Sequence, residues 1–248
     1  MTTKINLKVL ILDRDFYALE SINSTLAWDR RTRVVALTQS LQEATTYIAS
    51  VSEAEQPDVI LLEAEAFPSV TDLSAAIGDF RRAIADVMVI CLGHLPDVER
   101  ASAAANAGAK GYLLRNEVRL QIVGAICYAL EHHFIVTAGI HEAVAAHFDA
   151  RLFNANILPA ERKYPGLTDR IRQALYLCVV EGMPAQLAAD EMGVSTHTVR
   201  GYIKEGYRIL EAYDDTDFPG EMGPLERAFM RFTALGDEAD EDEKTALE

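Results

Sequence analysis

Through the first half of the chain, short apolar runs alternate with stretches whose apolar positions recur every three or four residues. Residues 9–12, 33–37, 58–62, 87–92 and 111–114 read as strands. Residues 16–26, 41–50, 73–84, 96–107 and 120–132 read as helices. Strands that are apolar on both faces, each followed by a helix, predict a parallel sheet covered on both sides. The expectation is an α/β doubly wound domain over residues 1–131 with five parallel strands. In such sheets the working residues gather at the carboxyl ends of the strands, near the switch in strand order.

The second half has a helical period. Residues 132–166 read as a linker: an extended piece at 134–140, a helix at 141–153, then a tether holding Pro159 and Pro165. Three helices are predicted at 169–181, 184–192 and 195–212, forming an all-α domain over 167–213. In the first of them Ile171, Ala174, Leu175, Cys178 and Val179 make one apolar stripe, and Gly182 stops it. Gly193 and Val194 form a turn, and Ser195 caps the third helix. Residues 214–248 are an extension. Its stretch 223–235 carries Leu225, Phe229, Met230 and Phe232, which could cover the core or pair with a second subunit. The acidic tail from Asp237 to Glu243 reads as solvated and disordered.

Charge and composition narrow the function. Half of the chain is apolar and a quarter charged, ordinary values for a protein that buries real cores. The apolar runs are too short to span a bilayer, and the first residues carry no signal-peptide pattern. Cys91, Cys127 and Cys178 form no paired framework, which places the chain in a reducing cytoplasm. A net charge of −15 argues against unspecific adhesion to nucleic acid. His132, His133, His141 and His147 lack partners at metal-ligand spacing, so no metal and no cofactor is expected. Neither a nucleophile–base set nor a phosphate loop is present, so an enzyme is not expected.

Three segments carry a resemblance: Val9 to Asp13, Pro57 to Glu63, and Ala107 to Arg115. They resemble the hallmark segments of bacterial receiver domains, over about residues 6–130. The resemblance implies a site for Mg²⁺ and a phosphoryl group, and the residues here depart from it. Asp13 matches, but Arg14 stands where a second carboxylate binds the metal. Glu63 replaces the phosphoacceptor aspartate, Gly93 the phosphoryl-binding hydroxyl residue, and Arg115 the lysine. Tyr112 matches the switch aromatic. A permanent cation at Arg14 opposes a dication that requires near-octahedral oxygen ligands. Two roles stay open for Glu63: a fixed mimic of the phosphorylated state, or a structural ion pair with Arg14 or Arg115. Asp15 reads as a helix cap rather than a ligand.

Leu167-Thr168, Val180-Glu181-Gly182, Met192 to Ser195, Thr198-Val199-Arg200, Ile203 and Leu210 resemble the LuxR-type helix-turn-helix, an architecture shared with region four of sigma factors. Together with the receiver segments they are similar to a NarL/FixJ-type response regulator with a pseudo-receiver. The resemblance implies that the third helix enters the major groove. Arg200, Gly201 and Lys204 would then face base edges. Ser195, Thr196, His197 and Thr198 would lie near phosphates, with Arg208 as a further backbone contact. Ile203, Tyr207 and Leu210 are expected to form the buried face behind them. Acidic Asp190 and Glu191 stand where relatives often carry cations, and Gly206 where they carry an aliphatic.

Two functions follow. One is a DNA-binding transcription regulator, working as a homodimer on double-stranded DNA, whose receiver-like domain serves dimerisation or the sensing of a small-molecule effector without phosphorylation. The other is a regulator that binds a protein such as a sigma factor, kinase or polymerase, with no operator of its own.

Overall fold

The structure is a computed structural model that describes residues 6–147, 152, 154–214 and 216–236. The chain forms two compact units, divided between Pro159 and Ala160. Among the described residues no helix is long and apolar enough to cross a membrane. The acidic tail lies outside the described residues.

The first unit runs β1 (Leu7–Leu12), α1 (Phe16–Ala27), β2 (Thr32–Thr38), α2 (Leu41–Ser50), β3 (Val59–Glu63), α3 (Val70–Ala83), β4 (Met88–Gly93), α4 (Val98–Ala107) and β5 (Gly111–Leu114). It continues through α5 (Arg115–Val118), α6 (Ile122–Glu131), β6 (Ile135–Val136), α7 (Ala138–His147) and β7 (Asn156–Ile157). All strands are parallel, in the order β2-β1-β3-β4-β5-β6-β7. The parallel α/β architecture is as expected, but the sheet has seven strands rather than five. The segments read as linker supply the two extra strands. Ile135 pairs with Gly111 and Val136 with Tyr112, and β7 then pairs with β6.

Successive strand residues point to opposite faces. Leu10, Leu12, Ile60 and Leu62 pack with Ile48 of α2, Phe80 of α3, Ala104 of α4 and Val144 of α7 in one apolar cluster. On the other face α1 packs against α6, and both bury apolar residues, among them Leu19, Leu26, Ile122 and Ile126. The helices α1 to α4 each start at a polar residue whose side chain caps them. Asp15 accepts the N–H groups of Tyr17 at 2.8 Å and Ala18 at 3.4 Å, so the capping role holds. Ser40, Ser69 and Asp97 cap α2, α3 and α4 in the same way.

The second unit contains α8 (Asp169–Leu175), a five-residue π-helical turn at Tyr176–Val180, α9 (Ala185–Met192), α10 (Thr196–Ala212) and α11 (Pro224–Phe232). Thr168 caps α8, and Gly182 and Gly193 take left-handed backbone angles at the two stops. Ala174, Leu177, Ala188, Ala189, Met192 and Val199 form the core, with Ile203 at its edge. The extension closes this unit. Phe229 and Phe232 are buried, and α11 packs on α10. Arg231 is buried with Asp214 at 3.0 Å and lies over the Phe218 ring at 4.7 Å. Tyr164 donates its hydroxyl to the Arg231 carbonyl at 2.6 Å. Burial pushes the Asp214 carboxyl up, but Thr216, Arg162 and Arg231 outweigh it and hold it below its usual range.

Candidate phosphorylation remnant and candidate DNA-facing helix

Parallel strands bring Asp13, Glu63, Gly93 and Arg115 together at the carboxyl end of the sheet, as expected. Their partners were open from the sequence. Glu63 is only 5 % exposed, and both of its oxygens belong to Arg14. The Arg14 backbone N–H donates to Glu63 Oε2 at 2.9 Å, Nε to the same oxygen at 3.3 Å, and Nη2 to Oε1 at 3.2 Å. Arg14 Nη2 also donates to the Glu65 carbonyl at 2.6 Å. Burial works to raise the Glu63 carboxyl, but the hydrogen bonds from Arg14 win and hold it below its usual range. Arg115 turns the other way and pairs with Asp13. Asp13 is buried, and its Oδ1 accepts the Asp15 N–H at 2.9 Å. Burial raises the Asp13 carboxyl, with the Asp15 N–H and Arg115 pulling against that rise.

A divalent cation of the kind receivers hold does not fit this arrangement. The carboxylates it needs, Asp13 and Glu63, are each taken by a guanidinium. Two further residues stand here that sequence reasoning missed. Glu65 Oε1 accepts the His94 N–H at 2.9 Å, and His94 Nε2 lies 3.7 Å from Glu63 Oε1. Ligand atoms of Glu63, Glu65 and His94 lie within 4.8 Å of one another, but Arg14 already engages both Glu63 oxygens. The only signal for them was position: Glu65 two residues past Glu63, and His94 next to Gly93.

Tyr112 is fully buried. A Cβ on Gly93 would fall 2.7 Å from its hydroxyl oxygen and 2.9 Å from Cε1. The tyrosine thus fills the room that a side chain at position 93 would use. Its hydroxyl finds no hydrogen-bond partner among the described residues, and burial drives the phenol strongly toward its protonated form.

In the second unit α10 is capped by Ser195, whose hydroxyl accepts the Thr198 N–H at 3.1 Å and lies 2.8 Å from Thr198 Oγ1. Arg200, Gly201 and Lys204 are exposed along one side of the helix. Neither cation pairs with a carboxylate among the described residues. His197 is exposed and Thr196 half-buried. Arg208 is different: Glu205 holds it through Nε at 3.0 Å and Nη2 at 2.6 Å. The buried face consists of Val199, Gly206, Ile209 and Leu210, with Ile203 and Tyr207 only half-buried. Gly206 is explained by Leu175, whose side chain would meet a Cβ there at 2.9 Å.

No family model and no curated protein matches the chain. Solved structures do. The RcsB response regulator of Salmonella typhimurium, in a structure described for DNA interaction, aligns over 98 % of this chain and 99 % of its own. Its TM-score is 0.51 at 14 % identity. A two-component response regulator of the LuxR family from Aurantimonas sp. SI85-9A1 covers 58 % of this chain and 98 % of its own, with TM-score 0.50 and 16 % identity. The chain has a response-regulator fold. Within that fold the cluster of Asp13, Arg14, Glu63, Gly93 and Arg115 sits at the carboxyl strand ends, where α/β sheets place their ligands.

Among the described residues, His132, His133 and His141 fall in no group of three metal-ligating side chains. His132 donates its Nδ1–H to the Tyr128 carbonyl at 2.8 Å and stacks on the Tyr128 ring at 3.8 Å. His133 is exposed and His141 half-buried. The side chain of His147 lies outside what the structure describes.

Proposed function

We propose that this chain is a DNA-binding transcription regulator whose receiver-like unit works without phosphorylation. The observation that carries the first part is the pair of unpaired, exposed cations Arg200 and Lys204, one helical turn apart on α10 in a helix-turn-helix. Side chains four residues apart share a face, and a guanidinium there can read guanine through two hydrogen bonds. Ser195, Thr196, His197 and Thr198 at the start of the helix then serve the phosphate backbone, together with its free N–H groups. Arg208 contributes less, because Glu205 neutralises it. Few cations surround the site, so a homodimer on two half-sites supplies the affinity that one subunit lacks.

The second part rests on Glu63 and Gly93. Arg14 occupies the acceptor carboxylate, and Tyr112 fills the space beside Gly93. Glu63 acts as a fixed anion tied to Arg14, and Tyr112 stays inward, so the unit holds one state suited to dimerisation or sensing. Two experiments test the reading. After incubation with acetyl phosphate and Mg²⁺, intact mass is expected to show no added phosphoryl group; a stoichiometric gain overturns the phosphorylation-independent part. Fluorescence anisotropy on promoter-length duplexes should give affinity that falls with salt, and no binding at low salt overturns the DNA part.

One observation favours the protein-binding alternative. Leu187 is 56 % exposed on α9, and Asp190 and Glu191, three and four residues on, are exposed beside it. An apolar residue rimmed by carboxylates suits a basic protein surface. Loss of partner binding in Leu187→Asp with DNA binding intact would establish that role alongside the first.

A further inference from the structure

The amino ends of β5, β6 and β7 carry a second polar site, at the opposite end of the sheet from Asp13 and Glu63. A cavity of about 540 Å³ opens there, within the range of small-ligand sites. Arg81, Lys110 and His133 line it together with Asn106, Asn154 and the apolar wall of Phe134. In a chain of net charge −15, two cations facing one cavity are a local inversion.

Both cations are held in place rather than left to wander. Gly108 ends α4 in the left-handed region at φ 89°. A Cβ there would collide with Arg81 Nη1 and Cζ, so the guanidinium rests on bare backbone. Arg81 Nη1 donates to the Ala107 carbonyl at 3.2 Å. Lys110 Nζ donates to the His132 carbonyl at 2.8 Å. A guanidinium has five N–H donors and an ammonium three, so each keeps donors to spend on a ligand. No carboxylate pairs with either cation among the described residues. Asp86 lines only the smaller adjoining cavity of about 240 Å³, which shares Arg81 and Lys110. The balance around the larger cavity stays positive.

We propose that this cavity binds a nucleoside phosphate, with Arg81 and Lys110 on the phosphate oxygens. Asn106 and Asn154 offer amides to a heteroaromatic body, and Phe134 offers an apolar surface. Such a ligand would make the first unit a sensor. Binding here does not depend on α10 or on DNA, so either function can fail without the other.

The test uses the full chain, with ADP, inorganic pyrophosphate and adenosine as probes at constant ionic strength in calorimetry. ADP is expected to bind at one site per chain, pyrophosphate more weakly, and adenosine not at all. Arg81→Gln with Lys110→Gln should weaken ADP by at least about tenfold, the loss of one charge-assisted hydrogen bond. Arg200→Ala with Lys204→Ala should leave ADP binding unchanged. A measurement needing no variant accompanies these: ADP should protect Lys110 from acetylation by an amine-reactive ester, mapped by peptide mass. The proposal is overturned if ADP does not bind, if pyrophosphate binds as tightly as ADP, if the double variant binds ADP as well as the parent, or if Lys110 is not protected.

Discussion

Gly93 is the position where the strand-end cluster can be tested through packing alone. Gly93→Ala places a methyl 2.7 Å from the Tyr112 hydroxyl, 2.9 Å from Cε1 and 3.0 Å from Cζ. The Tyr112 ring is fully buried and cannot swing into solvent without opening the core. Overpacking of this kind costs about 1–3 kcal/mol. With an urea dependence of about 2 kcal/mol per molar, a 2 kcal/mol loss lowers the midpoint by about 1 M. Trp28 is the single tryptophan and lies in the first unit, so its fluorescence reports this transition. Tyr112→Phe removes a buried hydroxyl that has no partner, and is expected to be neutral or stabilising. In that background the 2.7 Å contact disappears while the ring-carbon contacts remain. The Gly93→Ala penalty should therefore shrink by about 1 kcal/mol without vanishing. An unchanged midpoint for Gly93→Ala, or the same penalty in both backgrounds, would refute the reasoning.

Other expectations concern charge and packing. Arg14→Ala strips two side-chain hydrogen bonds from the buried Glu63 carboxylate but leaves the backbone one. Because Arg14 is 57 % exposed, the cost should be about 1–2 kcal/mol, below that of a fully buried pair, read from the same urea transition. Glu63 and Asp214 both have depressed carboxyls in the folded chain. Their stabilisation is therefore full above the unfolded carboxylate range of about pH 4 and lost as pH falls through their lowered folded values. Arg231→Met should reduce the hydrogen-exchange protection of α10 and α11 by about 3 kcal/mol and flatten the Asp214 part of that acid dependence. Gly206→Ala should cost stability despite alanine's better helix propensity, because Leu175 stands in the way. A more stable Gly206→Ala variant would show that Leu175 gives way freely.

The strands and helices of the first unit were legible because each fully apolar run is long enough to show its period. The bounds of α2 and β5 fell where the pattern put them. β6 was read only as an extended piece at 134–140 and β7 not at all: two residues cannot display an alternation, and their pairing comes from the open edge of β5. The π-helical turn at Tyr176–Val180 escaped for a related reason, since one added residue barely disturbs the stripe from Ile171 to Val179. At the strand-end cluster, the residue types were readable but their pairing was not. Both arginines could reach Glu63 in principle, and the geometry of the strand ends gives it to Arg14 and leaves Asp13 to Arg115. On α10 the cap at Ser195 was readable from the residue itself, whereas the neutralisation of Arg208 by Glu205 depends on rotamers.

In vitro selection on random duplexes with the full chain tests the central assignment most directly, with Arg200→Ala carried in parallel. The expected result is an enriched motif of two half-sites about one helical turn apart. The variant should lose about 1–3 kcal/mol of discrimination at one base pair in each half-site while keeping its fold. Enrichment of no sequence by the parent protein, or the same motif at the same strength from Arg200→Ala, would contradict α10 as the helix that reads DNA.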